Sequence, residues 1–199
     1  MEVKRIISGM FGTNTYLLDI EDKVILIDPA GKAEKLLPCL EGKQLLAVLL
    51  THGHFDHIKA VDDLYDEYRM PVYIHAEDEE LCRDKNQALS FGLPFSPVIS
   101  CPVQHLQDGL NEISPFRFAV IPTPGHTEGS CCFLFKECIF TGDTLFKGSV
   151  GRTDLKGGNN AKLRSSLRVL RELDPELIIY PGHEDTSVLK DELENNPYL

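Results

Sequence analysis

Apolar and polar positions alternate along the first segments of the chain, then change period. VKRIIS (3–8), TYLLDI (15–20) and KVILID (23–28) alternate, as strands with one buried face do. LLAVLL (45–50) is continuously apolar and reads as a strand covered on both faces. Helical stretches are expected over 31–41, 58–69 and 76–87, with a short strand at 72–75 between the last two. The theme then repeats. FRFAVIP (116–122), SCCFLFK (130–136) and ECIFTG (137–142) read as consecutive strands joined by short turns. In 161–173, Leu163, Leu167, Leu170 and Leu173 recur at helical spacing and form one apolar face. LIIY (177–180) is a last buried strand, followed by a terminal helix over 187–195. Strands in two runs, each closed by helices, predict two packed sheets with helices outside, an α/β chain.

Composition narrows this picture. At 199 residues, with no linker or low-complexity run, a single domain over 1–199 is expected. Apolar residues at 42% and charged residues at 26% exclude a disordered, collagen-like or coiled-coil chain. No run approaches the roughly 18 apolar residues of a membrane helix, and the N-terminus has no continuous apolar segment of the signal-peptide kind. A cytoplasmic protein without membrane contact follows as the expectation. The net charge of −11 disfavours a nucleic-acid partner, because an acidic surface repels phosphate. Six cysteines without a CxxC pair read as reduced residues packed in a core.

The chemistry concentrates in histidines. Three of the seven fall within Thr51-His52-Gly53-His54-Phe55-Asp56-His57, directly after LLAVLL. Three imidazoles and a carboxylate in one short loop are costly in a core but natural around a metal ion. His126, after Pro124-Gly125, and His183, after Pro181-Gly182, also follow buried strands, and Asp143 follows Gly142 at the end of ECIFTG. Glycine before each lets the backbone turn sharply. His52, His54, Asp56, His57, His126, Asp143 and His183 are more donors than one tetrahedral ion takes, which predicts two divalent metal ions. The nitrogen and oxygen donors suit zinc first and also admit iron or manganese.

This arrangement, H-x-H-x-D-H followed by a later His, Asp and His, resembles the metallo-β-lactamase superfamily across essentially the whole chain. TGDTLFKGSVGRTDLKGG and YPGHEDT are similar to the glyoxalase II branch, the hydroxyacylglutathione hydrolases. The resemblance implies an αβ/βα four-layer sandwich, two mixed β-sheets flanked by helices. It also implies His52, His54 and His126 on one ion, Asp56, His57 and His183 on the other, and Asp143 as the bridge. Glyoxalase II enzymes usually carry a C-terminal helical domain. Only 16 residues follow His183 here, so the chain resembles the short single-domain type. Gly151-Arg152-Thr153-Asp154 also occurs in a sister branch, the iron-dependent persulfide dioxygenases.

Hydrolysis of a small thioester of the glutathione type is therefore expected, by attack of a metal-bound hydroxide with Asp56 as the orienting catalytic group. A thiolate leaves without a strong general acid, since a free thiol has a pKa near 8.5. The alternatives are an iron-dependent persulfide dioxygenase, or hydrolysis of another small ester, a lactone or a phosphodiester. Arg152 and Lys147 are candidate substrate contacts, with a solvated loop as the plainer reading. Asp28 and Thr51 are candidates to brace the ligands. His75, His105, Cys131 and Cys132 are assigned to structure, and Glu77–Glu80 to a solvated helix start. A monomer or a homodimer fits the chain.

Overall fold

The computed structural model describes all residues from 1 to 199 except the side chain of Ser90. Two six-stranded mixed sheets face each other. The first runs in the order β1 (Glu2–Ser8), β2 (Thr13–Ile20), β3 (Lys23–Ile27), β4 (Gln44–Leu49), β5 (Val72–Ile74), β6 (Gln104–His105). Its first two pairings are antiparallel and the remaining three parallel. The second sheet contains β7 (Gly109–Ile113), β8 (Phe116–Pro122), β9 (Cys131–Leu134) and β10 (Cys138–Gly142). After a small hairpin, β11 (Leu145–Phe146) and β12 (Ser149–Val150), come β13 (Ile178–Pro181) and β14 (Ser187–Val188). The chain crosses from β10 to β13 in parallel, so β13 lies beside β10 and not beside its sequence neighbour β12.

The period-2 pattern sorts side chains into layers. Leu18, Ile25, Ile27 and Leu49 of the first sheet meet Phe118, Val120, Phe133 and Phe140 of the second in the central core. Their neighbours Leu17, Val24, Leu26 and Val48 face outward, under α1 (Leu37–Leu40) and α2 (Val61–Tyr68). On the far side Leu163, Leu167 and Leu170 of α4 (Asn160–Arg171), with Leu189 of α5 (Leu189–Asn195), cover Ile139 and Ile179. Cys131 and Cys132 are adjacent in β9 and enter opposite layers. These are the two packed sheets with helices outside that the strand and helix signals predict, in the four-layer sandwich that the resemblance implies. Among the described residues no helix is long and apolar enough to cross a membrane.

Several local expectations are corrected. The segment 31–41 is a single 3-10 turn and the four-residue α1, because Pro38 lacks the N–H that a continuous helix needs. The segment 76–87 likewise yields a 3-10 turn at Ala76–Asp78 and the short α3 (Glu79–Cys82). Residues 187 and 188 form a strand before α5 begins. β7 carries no strong apolar signal because it is an edge strand, and its Leu110 stands 91% exposed.

Candidate metal centre

Five strand ends deliver the site. Asp28 follows β3, the loop 50–57 follows β4, His126 follows β8, Asp143 follows β10, and His183 follows β13. Backbone hydrogen bonds stitch these ends together across the two sheets. Cys131 N–H donates to the Thr51 carbonyl at 2.9 Å, Gly182 N–H to Gly142 at 2.8 Å, and Asn14 N–H to Gly182 at 2.8 Å. Glycine is needed at two of these points for different reasons. Gly142 has φ +47°, in the left-handed region that side chains disfavour. Gly182 is instead required for space, since a Cβ there would lie 2.2 Å from Asp143 Oδ1.

The ligand candidates assemble into two groups, and a third set, Asp28, His52 and His57, overlaps both. His52, His54 and His126 form one, all three buried, with donor atoms within 4.8 Å of one another. His54 Nδ1 lies 2.8 Å from His126 Nε2. Asp56, His57 and His183 form the other. His57 Nε2 and His183 Nε2 are 3.3 Å apart, and His183 Nε2 is 3.4 Å from Asp56 Oδ2. Asp143 sits between the groups. Its Oδ2 is 3.4 Å from His126 Nε2 and 3.5 Å from His183 Nε2, and its Oδ1 is 3.4 Å from His57 Nε2.

Most of these ligand candidates are held from behind. Asp28 Oδ2 accepts from His57 Nδ1 at 3.0 Å, which leaves Nε2 facing the second group. The same oxygen takes the Thr51 hydroxyl proton at 2.6 Å, and Asp28 Oδ1 takes the Thr51 N–H at 2.8 Å. The Thr51 oxygen in turn lies 3.0 Å from His52 Nδ1. His126 Nδ1 donates to the Arg152 carbonyl at 2.8 Å, and His183 Nδ1 to the Phe11 carbonyl at 3.2 Å. Thr13 Oγ1 donates to Asp56 Oδ2 at 3.0 Å. Asp28 and Thr51 thus lie behind the ligand candidates.

Electrostatics divides the two groups. Burial and then the charge on His57 hold His52 well below the ordinary imidazole range, and burial with the charge on His126 pushes His54 down to about 3. These are neutral imidazoles, the form that binds metal. In the second group burial opposes charge but loses. His57 followed by the His183 hydrogen bond takes Asp56 down to about 2, and the same two partners hold Asp143 well below its usual range. Burial disfavours the His183 cation, yet hydrogen bonds to Asp143 and Asp56 push it up to about 11. The carboxylates are anionic and draw positive charge. His52 Nε2 and Asp143 Oδ1 are buried without a hydrogen-bond partner among the described residues. Two orphaned donor atoms, neutral imidazoles and paired carboxylates fit two divalent cations.

Asp78 escaped the sequence reading. It lies in an acidic run expected to be solvated, but is 1% exposed. Its Oδ2 accepts from Gly53 N at 2.8 Å and from Thr127 Oγ1 at 2.7 Å, and its Oδ1 from Gly129 N at 2.7 Å. It ties the loop of His52 and His54 to the loop of His126. Burial raises its pKa, against the pull of these three donors. Glycine at 53 and 129 makes room for it, since a Cβ there would meet the Asp78 segment at 2.8 and 2.7 Å, and no sequence pattern marks that approach.

A cavity of about 850 Å³ opens over the centre, with His54, Asp56, His126, Asp143 and His183 in its lining. Arg152 and Lys147 also line it. The Arg152 guanidinium already forms a two-pronged pair with Asp154, at 2.7 Å for each hydrogen bond. Lys147 is exposed and makes no side-chain contact of this kind with the described residues. His75 and His105 lie outside both groups. His75 Nδ1 accepts from Glu77 N at 3.3 Å at a turn start, and His105 pairs with Glu79 at 2.7 Å. Five of the six cysteines are buried and none forms a disulfide.

The family model described as the metallo-beta-lactamase superfamily matches residues 8–183. The probable metallo-hydrolase YqgX of Bacillus subtilis is 35% identical over 206 residues, spanning 100% of this chain and 98% of the relative. The hydroxyacylglutathione hydrolase GloC of Haemophilus influenzae is 34% identical over 208 residues, again 100% and 98%. Among solved structures, the BLEG-1 B3 metallo-beta-lactamase superposes with a TM-score of 0.91 at 35% identity, covering 100% of this chain and 99% of that one. TTHA1623 in a di-iron-bound form gives 0.91 at 38% identity, covering 99% and 100%.

Proposed function

The chain belongs to the metallo-beta-lactamase superfamily, and from that premise we propose that this metal-dependent hydrolase cleaves small thioesters, those of glutathione first among them. The carrying observation is the acid inventory of the cavity. Outside the two ligand groups its carboxylates are Asp84, Asp154 and Glu184. Asp84 is paired with Lys156 at 2.8 Å and Asp154 with Arg152, and each partner's hydrogen bond holds its carboxylate below the usual range. Glu184 is exposed to water. None is placed as a protonated acid for a leaving amine. A thiolate needs none, since its conjugate acid has a pKa near 8.5. The 34% identity to GloC supports the glutathione carrier.

His52, His54 and His126 would hold one cation, Asp56, His57 and His183 the other, and Asp143 would touch both. Bound cations would supply an acidified water and a polarised carbonyl oxygen. The protein supplies orientation. Asp28 fixes the His57 tautomer, Thr51 links that carboxylate to His52, and Thr13 holds Asp56 by its Oδ2, fixing the carboxylate that would orient the water. Lys147, without an anionic partner of its own, is the cation offered to a carboxylate of the carrier.

Zinc is the first occupant to test, and the di-iron form of TTHA1623 supports iron beside it. Iron occupancy also favours a second reading, oxidation of a glutathione persulfide. The test is loss of thioester absorbance from S-lactoylglutathione and its acyl homologues, with protein reconstituted separately with zinc, manganese and ferrous iron. Chelator-sensitive hydrolysis is expected. Turnover of none of them with any metal overturns the thioester reading, and oxygen uptake with glutathione persulfide would then establish the second.

A further inference from the structure

We infer that the acyl group this site prefers is apolar and bulky, an aryl or long alkyl chain, and that Phe11, Phe55 and Phe91 form the wall that receives it. The inference rests on the thioester reading for the word acyl, but the wall itself stands on geometry. Three separate elements each deliver one ring: the β1–β2 turn, the ligand loop and the 3-10 turn Gln87–Phe91. The rings pack edge to face or tilted, with centroids 5.7 Å apart for Phe11–Phe55, 5.4 Å for Phe11–Phe91 and 5.8 Å for Phe55–Phe91. All three line the cavity that holds the ligand groups.

Phe55 stands between His54 and Asp56 in the chain, so the wall begins beside the reacting centre. Phe11 and Phe91 keep 37% and 36% of their surface open although they pack on each other, and Phe55 keeps 6%. Open aromatic surface inside a reaction cavity is covered when a ligand enters, and large rings give a large gain on burial. The Arg152 guanidinium lies 5.7 Å from the Phe91 ring centre, so the Arg152–Asp154 pair borders the wall, and Lys147, the cation offered to the carrier, lines the same cavity. A substrate with an apolar acyl end and an anionic carrier end matches that sequence of surfaces. A small hydroxylated acyl group would leave the rings wet. The cavity, at about 850 Å³, has room for the larger group.

The test uses inert thioethers, so it does not depend on turnover. Affinities of S-benzylglutathione and S-methylglutathione for the metal-loaded protein are measured by calorimetry, in the natural chain and in Phe11→Ala and Phe91→Ala. Burying one ring predicts that the benzyl compound binds about tenfold tighter or better. Each substitution should shrink that ratio to about threefold or less, with metal content unchanged. Because His183 is held by the Phe11 carbonyl and not its ring, Phe11→Ala leaves that contact in place. In parallel, kcat/KM for phenylacetylglutathione should exceed that for S-lactoylglutathione. Equal affinities, binding of neither thioether, or a ratio indifferent to both substitutions overturns the wall. A lactoyl preference in kcat/KM overturns its assignment to the acyl group. A benzyl preference without hydrolysis of any thioester would sink the thioester reading and leave the wall standing.

Discussion

The Asp78 carboxylate lies 2.8 Å from the Gly53 amide, and through that contact a residue 24 positions beyond His54 sets where His52 and His54 stand. Its other bonds, to Thr127 and Gly129, set the His126 loop. All three imidazoles of the first group are thus referred to one buried anion. Asp78→Asn keeps the shape but must point an N–H₂ at a donor on one side or the other. The expected result is a 10- to 100-fold weaker hold on one of two metal equivalents, as for other residues that orient ligands. Competition with a chromophoric chelator measures it. Wild-type affinity for both equivalents in the folded variant would refute the role.

Gly182 makes a second case for space as a functional requirement. Its missing Cβ would sit 2.2 Å from Asp143 Oδ1 and 2.8 Å from His57 Cε1. Asp143 has little room to retreat, because its other oxygen faces His126 and His183. Gly182→Ala should therefore displace the carboxylate shared between the groups. Misplacement by about 1 Å typically costs on the order of 100-fold in rate, and that loss is expected in kcat. Elemental analysis should show less than two equivalents of metal in protein whose circular dichroism is unchanged. Full metal content with full turnover would show that the loop adapts.

Much of this was legible in the sequence, for identifiable reasons. The strands carrying ligands are buried, so LLAVLL and FRFAVIP announce themselves by apolar pattern, and the turns after them carry His or Asp behind glycine. Asp28 was legible as a polar residue closing a buried strand. What pattern could not give was tertiary. Glu77 and Glu80 are solvent-facing as their charge suggests, but Asp78 in the same run is buried because two distant amides and a hydroxyl meet it. β7 was invisible because an edge strand buries too little to need alternation. The pairing of Arg152 with Asp154, two residues on, is local, yet nothing in the spacing distinguishes a paired arginine from a free one.

That pairing separates Arg152 from Lys147, two of the three basic residues that line the cavity. Arg152 is already satisfied by Asp154, whereas Lys147 is not engaged by any carboxylate among the described residues. Lys147→Ala should raise KM for a glutathione thioester several-fold with kcat little changed, an exposed charge contact being worth about 1 kcal/mol or less. Arg152→Ala should do less. Neither should release metal, since His126 is held by the Arg152 backbone carbonyl and not its side chain. Asp154→Asn frees the guanidinium and should lower KM. Initial-rate kinetics on the three variants checks the order, and a larger KM effect from Arg152→Ala would reverse the assignment.

Stability should fall on the alkaline side, because of buried thiols and a buried phenol that are not themselves ligand candidates. Burial pushes the Cys132 thiol up to about 11, with hydrogen bonds to Thr123 and Thr144 pulling the other way. It pushes Cys138 to about 11 as well, and raises Tyr16, whose hydroxyl donates to the Pro181 carbonyl at 2.7 Å. In each case the folded pKa lies above the unfolded one. The unfolded chain therefore loses its protons first as pH rises. The stabilisation is fully present below about pH 8.5, where unfolded thiols begin to ionise, and is lost as pH climbs toward the folded values. A rise of about two units for one fully buried thiol corresponds to roughly 3 kcal/mol once both states have ionised. Urea midpoints of the metal-loaded protein, in which no proton occupies the His183 ligand atom, measured under a non-chelating reductant, should hold steady from pH 7 to about 8.5 and then decline. Cys132→Ala should give a flatter decline. A midpoint unchanged to pH 11 would mean that these protons are not coupled to folding.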